Sequence, residues 1–276
     1  MISDADMLDL ERARDLLENP GFAARAVDLL GRPIESMLAR LPASLTERIQ
    51  SVTRKSIERA LDVALLSLGN RPPKKARRSA DGAHKVLTAI TGGVGGMFGL
   101  MGLAVELPIS TTAMLRSIAA IARSEGEDLR SPEARLSCLQ VLALGGTSAS
   151  DDAAETGYFA VRALFSKTIS ELAEAFTGRT AARRTAPALV ELVSRLAARF
   201  GVSVSEKVAV EAVPVIGALG GATINVLFTG HFQRMARGHF TVRRLERTYG
   251  AAVVREAYEA LGPDRRAPAG RALESG

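Results

Sequence analysis

Apolar residues recur three and four positions apart through most of this chain, and nowhere do they alternate singly as a half-buried strand requires. The pattern predicts helices separated by clear breaks. Ser3 caps a helix over residues 4–18, and Asn19-Pro20-Gly21 ends it. A second helix covers residues 22–30 and stops at Gly31-Arg32-Pro33, and a short third helix ends at Pro42. A long helix follows over residues 43–68, with Leu45, Ile49, Val52, Ile57, Leu61, Ala64, Leu65 and Leu68 turned to one core-facing side.

Two long uncharged stretches then break the amphipathic pattern. They run from Val86 to Val105 and from Ala212 to Gln233, each about the 20 residues that a bilayer-crossing helix needs. Both are rich in glycine. Gly92, Gly96 and Gly99 share one helix face, as do Gly95, Gly99 and Gly102; Gly217, Gly220 and Gly221 lie in the second stretch. Small residues at this spacing let another backbone approach closely. Each glycine also weakens a helix by about 1 kcal/mol relative to alanine, so such helices need strong packing. The glycines and nearby prolines therefore favour core helices over independent spans.

Between and beyond these stretches the punctuation continues. Pro108 is expected to interrupt the helix, with Ser110 to Thr112 capping a new one that runs to Ser124 and stops at Gly126. Ser131-Pro132-Glu133 opens a nearly wholly apolar helix that ends at Gly145-Gly146. Asp151 or Asp152 starts a further helix to about Phe176. Another spans Pro187 to Phe200 and is expected to end at Gly201, and Pro214 bends the second apolar stretch. The strongest periodicity follows: Phe228, Phe232, Met235, His239, Val242 and Tyr249 form an apolar stripe, with Arg234, Arg237 and Arg244 on nearly the opposite face. That arrangement suits a membrane-surface or partner-binding helix; the plainer and favoured reading is a core-facing helix with a solvated basic back. The expected fold is all-α, a single multi-helix domain over residues 1–261 with two central glycine-rich apolar helices. Residues 262–276, rich in Pro, Gly, Ala and Arg, are expected to form a disordered tail.

Charge adds direction. The net charge is +6 and the pI about 9.9, which favours anionic partners. A basic linker over residues 71–80 carries Arg71, Lys74, Lys75, Arg77 and Arg78 beside an apolar stretch, the arrangement expected next to an anionic membrane face. Nucleic acid is disfavoured, because the chain has no aromatic platform, zinc finger or helix-turn-helix signature. The acidic start (Asp4, Asp6, Asp9, Glu11) has no apolar signal core, so a cytoplasmic location is expected. Arginine-heavy and alanine-heavy usage, with lysine at only six of the 36 basic positions, points to a bacterial origin.

No catalytic constellation stands out. The glycine-rich run has neither the Gly-Lys-Ser/Thr ending of a phosphate loop nor G-x-G-x-x-G, and HExxH and G-x-S-x-G are absent. No cofactor and no metal are expected. Polar residues inside apolar stretches are the remaining candidates: Glu106, Asn225 and His239, with Arg116 the next helix-borne cation after Glu106. We expect Glu106, Arg116 and Asn225 to form a polar cluster between the glycine-rich helices, either structural or able to take a ligand or headgroup. The competing class is a soluble hydrolase-like enzyme that uses Glu106 or the acidic turn Asp151, Asp152 and Glu155.

Five segments together resemble the EcsC protein family. They are residues 92–128 (GGVGGMFGLMGLAVELPISTTAMLRSIAAIARSEGED), LGG at Leu144–Gly146, GYFAVR at Gly157–Arg162, VPVIGALGGATINVLFTGHF at Val213–Phe232, and ARGHFTVRRLERTYG at Ala236–Gly250. The family takes its name from a protein encoded beside an ABC transporter, and it has no agreed catalytic residues. The resemblance therefore implies a helical bacterial protein, associated with a membrane, with a transporter or other membrane protein as a conceivable partner.

Overall fold

The computed structural model describes residues 1–18, 38–39, 41–67, 99–146, 157–177, 182–211 and 221–262. Within them the chain folds as one all-α domain of eight helices. These are α1 (Asp4–Glu18), α2 (Ala43–Ser67), α3 (Gly99–Ser124), α4 (Pro132–Leu144), α5 (Tyr158–Thr177), α6 (Ala182–Glu211), α7 (Gly221–Tyr249) and α8 (Ala251–Ala260).

The most enclosed helix is α4, which packs on α2, α3, α5, α6 and α7. Its sequence explains this. Ser131-Pro132 starts it, and from Ala134 to Ala143 only Arg135 escapes full burial. A helix that is apolar on every side has to be surrounded. Cys138 is buried on it and free, and burial pushes its thiol pKa up to about 12. The helices that carry the described parts of the glycine-rich segments, α3 and α7, pack against each other and against α4.

The end of α4 accounts for the Leu-Gly-Gly motif. A Cβ on Gly145 would lie 2.3 Å from the Phe232 ring, and one on Gly146 would lie 2.2 Å from the backbone oxygen of Arg199. Both glycines let α6 and α7 close on the helix end. The carbonyls exposed there find side-chain donors. Arg199 Nε donates to Ala143 O at 2.9 Å and its Nη2 to Gly146 O at 2.8 Å. Ser203 Oγ donates to Gly145 O at 2.9 Å, and His231 Nε2 donates to the same oxygen at 2.8 Å. A cation at a helix C-terminus also complements its dipole. The rings of Phe200, Phe228 and Phe232 stack around this junction with centroids 5.1–6.0 Å apart.

Two expected breaks are overturned. α3 runs through Pro108 without ending. Proline deprives Ala104 O of its helical donor, but Ala104 is exposed and water can serve it. Leu103, Leu107, Met114, Leu115 and Ile118 are all buried and hold the helix by packing. Ser110 and Thr112 are not caps, since their hydroxyls turn back to Leu107 O and Pro108 O. Likewise α6 continues through Pro187 and Gly201. Phe200 and Leu196 before Gly201, and Val204 and Val210 after it, are buried on one shared core, and this outweighs the roughly 1 kcal/mol cost of the glycine. The break at Gly126 is present, at φ 82°.

Candidate functional site

Glu106 lies on α3 and faces inward, but its partner is Lys207 of α6, not Arg116. Lys207 Nζ is 2.5 Å from Glu106 Oε1 and 3.3 Å from Glu211 Oε1, and it sits 5.7 Å from the centre of the Phe228 ring of α7. The lysine is 1% exposed, against 21% and 27% for the two carboxylates. Burial, then the charge of Glu106, hold the Glu211 carboxyl above the usual carboxylate range despite the pull of Lys207. Arg116 is exposed. Because α3 does not break at Pro108, Arg116 lies about 15 Å further along the same helix and about 80° round it from Glu106. The expected cluster of Glu106, Arg116 and Asn225 is thus replaced by one that joins α3, α6 and α7 through Lys207. Asn225 is buried on α7, one turn before Phe228. The i,i+4 pair Lys207 and Glu211, leading directly into an uncharged stretch, was the sequence signal for this cluster.

His239 is fully buried on α7. The Tyr158 hydroxyl accepts from Arg162 Nη1 at 3.3 Å and shares a hydrogen bond of 2.9 Å with His239 Nδ1. The other ring nitrogen, Nε2, has no hydrogen-bond partner among the described residues. Arg162 in turn grips Glu246 through two bonds of 2.8 and 3.0 Å. This network unites the GYFAVR and ARGHFTVRRLERTYG segments. Burial, then the charges of Arg162 and Arg243, hold the His239 pKa well below 6.5. The folded protein leaves this ring neutral while the unfolded chain protonates it, so stability is complete above pH 6.5 and falls as pH drops below it. Urea titrations at pH 7.5 and 5.5 should differ by about 1.4 kcal/mol from this group, and His239→Gln should remove that part of the difference.

Neither cluster presents an accessible nucleophile beside a base. Lys207 is engaged by two carboxylates and His239 is sealed from solvent. No grouping of three His, Cys, Asp or Glu among the described residues could hold a metal ion.

The outward surface of α3 and α7 is of a different kind. The helices run parallel: Gln233 Nε2 donates to Ser117 Oγ at 2.8 Å, and further along Arg243 Nε donates to Glu127 Oε1 at 2.7 Å. At about 100° per residue from the Ser117–Gln233 contact, Val105, Ile109 and Arg116 on α3 fall on the same side of the seam as Val226, Arg234 and Arg237 on α7. Val105, Ile109 and Val226 are 65%, 45% and 54% exposed. The face is apolar at one end, with an arginine band next to it. The segment Leu103–Ser124 is long and apolar enough to cross a membrane by length and composition, and 33% of its apolar window is buried.

The α7 stripes divide between core and surface. Phe228, Phe232, Met235, His239 and Val242 are buried, so the periodic apolar stripe faces the core. Arg234 is half-buried and Arg237 exposed. Arg244 is neutralised within the fold, with Asp9 at 2.7 Å, Glu125 at 3.0 Å and Asp6 at 3.2 Å. Asp6 also accepts from Tyr249 Oη at 2.6 Å, and the Tyr249 hydroxyl, followed by Ser3, lowers its pKa.

Several expectations lie outside the described residues: the basic linker with Arg71, Lys74, Lys75, Arg77 and Arg78, the acidic turn from Asp151 to Glu155, and Gly92, Gly95, Gly96, Gly217 and Gly220. The tail beyond Gly262 lies outside them too. Gly99 and Gly102 stand in the first turn of α3, and Gly221 opens α7.

A sequence profile of the EcsC protein family matches residues 20–245. Comparison with curated proteins and with solved structures gave no match.

Proposed function

Because the chain belongs to the EcsC protein family, whose resemblance carries no catalytic residues, we propose that it is a non-enzymatic bacterial protein held peripherally on the cytoplasmic face of a membrane. The observation that carries this reading is the α3–α7 face. Val105, Ile109 and Val226 stand exposed at one end of it and Arg116, Arg234 and Arg237 form the band beside them. A bilayer surface has the complementary order, an apolar interior beneath a layer of phosphate. Exposed aliphatic side chains gain by entering the acyl boundary, and guanidinium groups pair with phosphate. The helix lies on the bilayer in this reading. Spanning is disfavoured because α3 already packs on α2, α4 and α7, and because Glu106 is tied to Lys207 inside the protein.

Sedimentation with phosphatidylglycerol–phosphatidylcholine vesicles tests the reading. The protein should bind, release as salt rises, and ignore vesicles of phosphatidylcholine alone. Each arginine near the surface contributes about 1 kcal/mol, so Arg116→Gln, Arg234→Gln and Arg237→Gln together should weaken binding about 100-fold. Ile109→Ser should weaken it at unchanged charge. Binding that survives all four substitutions would exclude this face.

A further inference from the structure

The arginine band has a fourth member that the fold withholds. Arg244 lies seven residues beyond Arg237, so it continues the same outward stripe of α7, past the point where α3 ends. Over it lies α1, antiparallel to α7: Asp6 and Asp9 meet Arg244, while Ala13 and Leu17 pack on Gly238. Gly238 falls about 140° round α7 from the seam with α3, on the side of the outward face. α1 therefore borders that face and reaches across its end to Arg244. It is an acidic helix, with Asp4, Asp6, Asp9, Glu11, Asp15 and Glu18 against Arg12 and Arg14.

An anionic surface approaching the face meets these carboxylates and competes with them for one guanidinium. The grip is of a kind that such competition can loosen. Arg244 and its three acidic partners are all partly exposed, Asp9 most of all, and exposed ion pairs are weak and screened by salt. Only Leu10 and Ala13 of α1 are fully buried, and the helix packs on α7 and α8 at one edge of the fold.

We propose that α1 is an acidic strap whose Asp6 and Asp9 hold Arg244 away from anionic lipid, and whose undocking adds Arg244 to the membrane-binding band. This inference rests on the membrane reading above and deepens it by naming a control on the same face. Gly238 supplies a way to undock α1 without changing its charge. A Cβ there would lie 2.6 Å from Leu17 Cγ and 2.8 Å from Ala13 O, so Gly238→Ala pushes the helix off α7.

The experiment titrates full-length wild type, Asp6→Asn/Asp9→Asn, Gly238→Ala and Asp15→Asn with phosphatidylglycerol–phosphatidylcholine vesicles. It also follows amide hydrogen exchange over residues 4–18, with residues 132–144 as the reporter of an intact fold. Anionic vesicles should speed exchange in residues 4–18 of the wild type, and phosphatidylcholine vesicles should not. Asp6→Asn/Asp9→Asn should bind about tenfold tighter, Gly238→Ala should also tighten, and Asp15→Asn, which alters an exposed carboxylate away from Arg244, should stay within about twofold of wild type. Arginine-dependent binding with residues 4–18 still protected, and with no gain in either Asp6→Asn/Asp9→Asn or Gly238→Ala, overturns the strap and leaves the membrane reading standing. A gain of about threefold in Asp15→Asn, the share that one of two carboxylates would give through charge alone, reduces the effect to net charge and overturns the strap as well. No binding by any variant overturns both.

Discussion

Gly146→Ala should destabilise the protein by about 3 kcal/mol or more, an effect seldom reached by adding one methyl group. The new Cβ would lie 2.2 Å from the backbone oxygen of Arg199 and 3.0 Å from its carbonyl carbon. A flexible side chain could swing aside; this backbone cannot easily do so. Arg199 itself clasps Ala143 O and Gly146 O, and the next residue, Phe200, is fully buried against Phe228 and Phe232. Relief requires α6 to withdraw from the end of α4, which loosens the donors that cap that end. A thermal melt followed by far-ultraviolet circular dichroism should shift down by about 10 °C for a chain of this size. Gly230→Ala is the matching control. Its Cβ would meet only Arg234 Nη1, at 4.0 Å, inside a continuous helix. There alanine should be neutral or stabilising by up to about 1 kcal/mol. Equal behaviour of the two variants would mean that close backbone approach is not what the Gly-Gly pair provides.

Lys207→Met should have an effect of similar size for a different reason. It removes the cation that Glu106 and Glu211 share and leaves two neighbouring carboxylates that are three-quarters buried. Breaking a buried ion pair on one side costs about 3–5 kcal/mol, and the partial exposure of the carboxylates places this case toward the lower end. Glu106→Gln and Glu211→Gln added to Lys207→Met should recover much of the loss, since the penalty belongs to the unpaired charges. The pH dependence has a definite sign. The Glu211 carboxyl already sits above its ordinary value of 4.5 through burial and the charge of Glu106, and loss of Lys207 removes the group that opposes both. The folded variant then binds a proton that the unfolded chain releases, so its deficit shrinks as pH falls toward 4.5. Denaturant titrations of the wild type and the variant at pH 7.5 and 5.5 give the comparison. A deficit that grows in acid would reject this account of the cluster.

Much of the helical order was readable from local chemistry. Ser131-Pro132 and Gly145-Gly146 bracket α4, Gly126 ends α3, and the four-and-three spacing from Phe228 to Val242 marks the buried side of α7. What failed locally were the breaks at Pro108 and Gly201 and the helix start at Pro187. Their preferences amount to a few kcal/mol at most, and at Pro108 and Gly201 the core residues on both sides outweigh them. Pairings between distant segments were not readable at all. Lys207 is 101 positions from Glu106, and Asp6 and Asp9 are 238 and 235 positions from Arg244. Periodicity put Arg244 on the same stripe as Arg237 but could not tell that one of them meets solvent and the other meets the first helix. The exposed apolar end of the face escaped notice for a related reason. Val105, Ile109 and Val226 come from two helices, and only the parallel register set by Ser117 and Gln233 brings them together.

The solitary thiol has a practical corollary. Cys138 sits on the helix that five others enclose, with its sulfur held in the protonated, unreactive form. Modification requires the thiolate and access to it, and the native fold denies both. A reporter cysteine introduced on the outward face can therefore carry a fluorophore or spin label in the otherwise native sequence, with no need to mutate Cys138 first. The native thiol then serves as a built-in clock: the rate at which a small alkylating reagent reaches it measures how often the whole helical assembly opens.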